Sequence, residues 1–119
     1  KSIRGSKVLV LGVAYKKDVD DVRESPALEI MELLQHKGAL LSYSDPYIAR
    51  LHKMRAYDFS NMSSLELTND VLRSHDVALI TTDHSNFDYQ RIVETAPLIV
   101  DTRNATRNVT RGREKIVRA

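Results

Sequence analysis

KVLVLGVA, residues 7–14, runs without a break into YKKDVDDVRES, residues 15–25. The first block is apolar at nearly every position, which suits a strand covered on both faces, as strands of a parallel sheet are. It meets a single glycine, Gly12, and the chain then turns charged: seven of the ten residues 15–24 are Lys, Arg, Asp or Glu. A buried strand that empties into a charged loop has a purpose in open α/β sheets, where ligands sit beyond the carboxyl ends of the strands.

The rest of the chain repeats the alternation. SPALEIMELLQHKG, residues 25–38, carries a full set of helix signals: Ser25 to cap, Pro26 at the first helical position, Glu29 and Glu32 early, His36 and Lys37 late, and Gly38 to terminate. Ala27, Ile30, Met31 and Leu34 share one face. ALLSYSDP (39–46) reads as a second strand closed by Asp45 and Pro46. YIARLHKM (47–54) predicts a short helix, and residues 62–67 read equally as an extended piece or a turn. TNDVLRSH (68–75) is a short helix capped by Thr68 or Asn69. DVALITT (76–82) is a third strand, NFDYQRIVETA (86–96) a helix and PLIVDTRN (97–104) a final strand. Strands alternating with helices, each strand apolar throughout, predict the α/β class: a Rossmann-like, doubly wound parallel sheet in three α/β/α layers.

The length of 119 residues, with no internal repeat and no Gly/Ser/Pro-rich linker, fits a single domain with residues 1–6 and the last dozen as trailing ends. Hydrophobic residues at 42% and charged ones at 29% exclude a disordered chain. No apolar run reaches membrane-spanning length and no signal pattern opens the sequence, so a cytoplasmic setting is expected. The absence of Cys removes disulfides, thiolate metal sites and a cysteine nucleophile together. Charge is uneven: from Arg103 onward there are six Lys or Arg and one acid, a net +5, leaving −3 for the preceding 102 residues. Such a tail can touch nucleic acid, but a basic terminus, here 109–119, is more commonly solvated.

Three polar clusters follow directly on predicted strands: YKKDVDDVR, DHSNFD and DTRN. They should line one rim. A dinucleotide site, with Asp45 as the ribose-binding acid, needs G-x-G-x-x-G after the first strand so that backbone can approach a pyrophosphate. Gly12 stands alone beside bulky Tyr15 and Lys16, so Asp45 reads as a turn residue before Pro46. Lys16, Lys17, Arg23 and Arg103 match a ligand with phosphate charge. Position and charge leave Lys16 and Arg103 equally open to a ligand or a surface ion pair, and Lys17 pairs more readily with Asp18 or Asp20 in solvent. His84, beside Asp83 and with no second His at ligand spacing, suits a local hydrogen-bonding role.

Taken in order and spacing, KVLVLGVAYKKDVDDVRESPALEI, YSDPY, LITTDHSNFD and IVDTRN resemble the C-terminal domain of the UDP-glucose/GDP-mannose dehydrogenase family over residues 6–108. Tyr15 stands where Phe is frequent and Lys17 where bacterial members often have Pro. The resemblance implies the UDP-sugar-binding domain of an NAD-dependent enzyme that oxidises a sugar C6 hydroxyl to a carboxylate, a step in surface polysaccharide synthesis. The NAD fingerprint and catalytic Cys would belong to an N-terminal domain of the same chain, and the long form would be a homodimer. By the same resemblance Tyr15, Lys16 and Arg103 contact the UDP-sugar, Arg23 reaches the NAD side, and Asp21 and Asp101 orient these cations. No catalytic residue and no metal ligand is expected here. The first block is closest in look to bacterial UDP-N-acetylhexosamine dehydrogenases, those of N-acetylglucosamine and N-acetylmannosamine.

Two other readings compete. Asp20, Asp21 and Asp83 echo the acid cluster of a receiver-type phosphoacceptor, but Lys16, Lys17 and Arg23 flank the pair, where a Mg²⁺ site would keep carboxylates free of cations. A nucleic-acid module using the basic tail lacks the interleaved aromatic residues of a stacking platform.

Overall fold

The computed structural model describes residues 3–20, 22, 25–51 and 59–119. Five strands, β1 (Lys7–Leu11), β2 (Leu40–Ser44), β3 (Val77–Ile80), β4 (Ile99–Asp101) and β5 (Ile116–Arg118), form one sheet in the order β2-β1-β3-β4-β5. Every neighbouring pair is parallel. Helices α1 (Pro26–His36), α2 (Asn69–Ser74) and α3 (Tyr89–Thr95) lie in the first three crossovers. From β1 the sheet grows one way to β2 and the other way to β3, so right-handed crossovers put α1 on one face and α2 and α3 on the opposite face. The crevice where the winding reverses, between the carboxyl ends of β1 and β3, is the place such sheets bind ligands.

The alternation of β1 explains both cores. Val8 and Val10 pack with Tyr43, Leu79 and the α1 residues Ala27, Leu28 and Met31, while Leu9 and Leu11 pack with Ala78, Ile80 and Ile99 against Leu72 of α2 and Ile92 and Val93 of α3. Helix α1 forms where its signals predict. The Ser25 hydroxyl accepts from the Ala27 N–H at 3.2 Å and Pro26 opens the helix. The helix ends with the Ala39 N–H bonded to the Leu34 carbonyl at 3.0 Å. Met31 and Leu28, both buried, each contribute about 1.5–3 kcal/mol from that face.

Two expectations change. Residues 47–51 are not helical; they turn and pair through an antiparallel bridge between Arg50 and Ser63, and residues 52–54 of the predicted helix lie outside the described residues. The cause is local: the Asp45 carboxylate accepts the Tyr47 N–H at 2.8 Å and the Tyr43 hydroxyl donates to the Ile48 carbonyl at 3.0 Å, which holds the segment against the end of β2. The stretch after Ser63 is extended, with the Leu65 N–H on the Tyr43 carbonyl at 2.9 Å.

The basic tail is not a solvated trailing end. Residues 116–118 add the fifth strand, and the Lys115 ammonium donates to the carbonyls of Val93, Glu94 and Ala96 at 3.1, 3.0 and 3.2 Å, closing the C-terminal end of α3 where a cation is favoured. The Arg113 guanidinium donates to the Thr106 and Val109 carbonyls, each at 2.9 Å.

The predicted three layers are present, but among the described residues the α1 layer does not reach across the sheet. Ile3, Leu34, Val77, Leu79, Leu98 and Val100 line an open, largely apolar groove of about 510 Å³ beside α1. No described helix is long and apolar enough to cross a membrane.

Gly12 ends β1 at φ 87°, and a Cβ there would lie 2.5 Å from Thr82 Cβ and 2.6 Å from the Thr82 carbonyl oxygen. Gly12→Ala is therefore expected to lose about 1–2 kcal/mol for the left-handed backbone and a further 1–3 kcal/mol or so for overpacking. Gly5→Ala, at φ 81° with nothing within 4 Å, should lose the backbone part alone. Urea denaturation of the two variants measures the difference; equal losses would show that the close approach of β1 and β3 can relax.

Candidate functional site

The loop that leaves β1 is held before it becomes charged. Gly12 N–H donates to the Ser44 carbonyl at 2.9 Å, and its own carbonyl accepts from the Thr81 hydroxyl. The Ala14 carbonyl accepts from the Thr82 hydroxyl at 2.9 Å and the Ser25 hydroxyl at 3.3 Å. Val13 and Ala14 N–H both donate to one oxygen of Asp45, at 2.8 and 3.2 Å. Asp45 is buried, and the same oxygen lies 2.9 Å from His84 Nε2. The residue read as a turn former is thus also the acceptor that gathers the ends of β1, β2 and β3.

These bonds settle how the turn can be used. A dinucleotide-binding turn offers free backbone N–H groups to a pyrophosphate. Here the amides of residues 12, 13 and 14 are all donated within the protein, and Gly12 admits Thr82 instead of a phosphate. The residues present do not fit NAD at the β1 turn.

Past Ala14 the loop is exposed. Tyr15 and Lys16 stand on the surface and make no hydrogen bond or ion pair with any described residue. Lys17 is exposed too, next to Asp18. Asp18 sits at φ 62° and its carboxylate accepts from the Ser85 N–H at 2.8 Å and hydroxyl at 2.7 Å. Those two bonds, led by the backbone one, hold its carboxyl below the usual range. Asp21 and Arg23 lie outside the described residues.

Arg103 follows β4 and is exposed, with Nε on the Thr81 carbonyl at 3.1 Å. Its terminal nitrogens make no hydrogen bond with a described residue. Asp101, expected to orient the rim cations, makes no ion pair with that guanidinium. It is fully buried and accepts from the N–H groups of Arg103 (3.0 Å), Ala105 (3.1 Å) and Thr106 (2.9 Å) and from the Thr106 hydroxyl (2.6 Å). It shapes the loop that carries Arg103 instead. Burial pushes its carboxyl upward, but the bonds from Thr106, Arg103 and Ala105 outweigh this and leave it below the ordinary range.

The rim also holds a cavity of about 300 Å³ that the sequence did not single out, lined by Lys17, Asp83, Ser85, Tyr89, Arg107 and Asn108 among others. Tyr15, Lys16 and Arg103 are not among its walls. Burial, then the nearby Asp83, raises the Tyr89 phenol well above its usual value, and its hydroxyl donates to the His84 carbonyl at 2.7 Å. Burial likewise pushes the Tyr43 phenol up to about 12. No group of three acids or histidines that could hold a metal occurs among the described residues.

Comparison with known proteins follows the same residues. The sequence profile of the UDP-glucose/GDP-mannose dehydrogenase family, UDP binding domain, matches residues 9–108, from β1 through the loop after β4. The chain belongs to this family. A UDP-glucose 6-dehydrogenase of Rickettsia bellii is 35% identical over 109 residues, which cover 87% of the chain and 25% of the relative. A UDP-N-acetyl-D-mannosamine dehydrogenase of Escherichia coli K12 is 36% identical over 83 residues, 68% of the chain and 19% of the relative. A solved UDP-glucose dehydrogenase from the archaeon Pyrobaculum islandicum superposes with a TM-score of 0.68 at 28% identity, covering 98% of the chain and 25% of that structure. The chain therefore spans about a quarter of the length of its relatives or less. Membership in this family displaces the receiver reading.

Because the folded Asp101 carboxyl ionises below its unfolded value, the stability it supplies is complete above the unfolded range, near pH 4. It is lost as pH falls through the lowered native value. Asp101→Asn, which keeps shape but faces its donors with an amide, is expected to lose about 1–3 kcal/mol at pH 7. It should also show a shallower fall in stability on acidification. Denaturation midpoints at pH 7 and at values stepped from about pH 4 down to about pH 2 test both; an unchanged acid limb would assign the pH dependence to other carboxylates.

Proposed function

We propose that the carboxyl rim of this domain grips the UDP moiety of a UDP-sugar through Tyr15, Lys16 and Arg103. The observation that carries the reading is the state of these side chains. The backbone beneath each is tied down by buried bonds, at Ala14 and at Asp101, while the ammonium of Lys16 and the terminal nitrogens of Arg103 have no described partner. Cations on fixed mounts, unneutralised and beyond the strand ends, are what a diphosphate needs. The guanidinium can take two phosphate oxygens in parallel, the ammonium supplies a point charge, and the Tyr15 ring offers an exposed face to the base.

In the long form the reading is an NAD-dependent UDP-sugar 6-dehydrogenase, a homodimer acting in surface polysaccharide synthesis. NAD and the redox chemistry fall to parts of the protein outside these residues, since the β1 turn does not fit the cofactor and the chain has no Cys. Arg23 is the residue proposed to face the NAD side, with Asp21 beside it. Relatives named for UDP-glucose and for UDP-N-acetyl-D-mannosamine come at similar identity, so the preference for N-acetylhexosamines rests on the GVAYKKDVDDVRESPALEI block alone.

Calorimetric titration of UDP into the chain tests the grip. Lys16→Ala and Arg103→Ala should each weaken binding by about 1.5–3 kcal/mol, the worth of a hydrogen bond to a charged group. Lys17 borders the 300 Å³ cavity, so Lys17→Ala and Arg107→Ala report on a rival seat. Losses confined to Lys17 and Arg107 would move UDP into that cavity, and no heat with the unmodified chain would overturn the reading. A second expectation is chemical: with NAD and UDP-glucose, UDP-N-acetylglucosamine or UDP-N-acetylmannosamine, the chain alone produces no NADH, because the β1 turn does not fit NAD and no thiol is present to carry the aldehyde oxidation through a covalent intermediate. NADH formation, followed by absorbance, would place the chemistry within these residues.

A further inference from the structure

The histidine that follows β3 has no part in the grip described above, yet it is completely buried in the rim that carries it. Its two ring nitrogens point to opposite ends of one short loop. Nε2 lies 2.9 Å from Asp45 Oδ2, the oxygen that holds the Val13 and Ala14 N–H groups where the loop begins. Nδ1 accepts the Asp18 N–H at 2.7 Å, where the loop ends. Between these points the chain rises as an arch whose exposed crown is Tyr15, Lys16 and Lys17.

We infer that His84 is the positioning residue of the UDP-binding arch, a strut across its base that holds Tyr15 and Lys16 in register for the ligand. The inference rests on the proposed role of those two residues. A backbone N–H can only donate, so Nδ1 is the bare nitrogen and the ring proton is on Nε2, directed at Asp45. The ring is fixed by its surroundings, with Tyr47 and Phe87 at centroid distances of 4.8 and 5.8 Å. The far end of the arch needs such a hold: Asp18 stands at φ 62°, a conformation non-glycine residues keep only when the surroundings impose it. Its carboxylate is tied to Ser85, the residue after His84, so residues 84 and 85 together grip both the amide and the side chain of Asp18.

Two substitutions separate the ends of the strut. An Asn side chain places its oxygen near the Nδ1 position and keeps the acceptor for the Asp18 N–H, whereas a Gln side chain reaches the Nε2 position and keeps the donor to Asp45. Positioning through the arch predicts that His84→Gln weakens UDP binding about two- to tenfold, the equivalent of one net hydrogen bond. His84→Asn should rescue most of that affinity even where it melts at a lower temperature. Equal UDP affinity for His84→Gln and the unmodified chain, or an affinity order that merely tracks melting temperature, overturns the proposal.

Two measurements on the unmodified chain decide the case if a variant does not fold. Hydrogen exchange should show the Asp18 amide protected, and ¹⁵N spectra of the imidazole should show Nε2 protonated and Nδ1 bare. An unprotected Asp18 amide or the opposite tautomer overturns the strut while leaving UDP binding intact. A protected amide in a chain that does not bind UDP supports the strut and refutes the binding reading.

Discussion

One carboxylate organises the ligand rim. Asp45, buried at the end of β2, accepts the amides of Val13 and Ala14 and faces His84 Nε2 with one oxygen, and with the other it accepts the Tyr47 amide. It therefore ties together the segments leaving β1, β2 and β3 at the point where the sheet's winding reverses. A buried carboxylate is expensive unless it is hydrogen-bonded, and both Asp45 oxygens are, one by three partners and the other by the Tyr47 amide. The bonds are mutually supporting: Asp45 has its partners only when the strand ends are in place, and it reinforces the direct ties between those ends, such as the Gly12 N–H on the Ser44 carbonyl and the Thr82 hydroxyl on the Ala14 carbonyl.

Under the proposed function, the same arrangement turns the fold from a cofactor grip into a substrate grip. In dinucleotide-binding sheets the first turn leaves its amides free for a pyrophosphate; in this family member Asp45 takes their place as the anion. The exposed cations stand farther out, at the crown of the loop, on a backbone that the core has immobilised. The Arg103 loop is built by the same logic from a different acid. Asp101 collects three amides and a hydroxyl and sets the direction in which Arg103 leaves β4. In both loops a buried carboxylate fixes backbone and leaves the exposed cations uncommitted.

Helix α1 was legible because its information is local: a cap, a proline, an apolar face and a terminating glycine within fourteen residues, all of which the structure uses. Strands β1 to β4 were legible for the same reason, as short apolar runs between turn residues. The fifth strand was not, since Ile116–Arg118 is too short and too charged to read as a strand until β4 offers it an open edge and Lys115 finds the carbonyls at the end of α3. Residues 47–51 misled by periodicity, because the bond from the Tyr47 amide to Asp45 and that from the Tyr43 hydroxyl to the Ile48 carbonyl compete with helix and win.

Taken by itself, the sequence determined the class of the fold, the rim that gathers the charged loops, the family, and the identity of the exposed cations, because these depend on pattern and on residues near one another along the chain. Which acid serves which loop was decided only in three dimensions. Asp45 and His84 are 39 positions apart, and His84 and the Asp18 amide 66, so nothing in local spacing marks them as partners. Asp101 shows the same limit in miniature: the sequence marks it only as an acid beside Arg103, and the fold decides that it is buried on the nearest amides, with the arginine left to the solvent side of the rim.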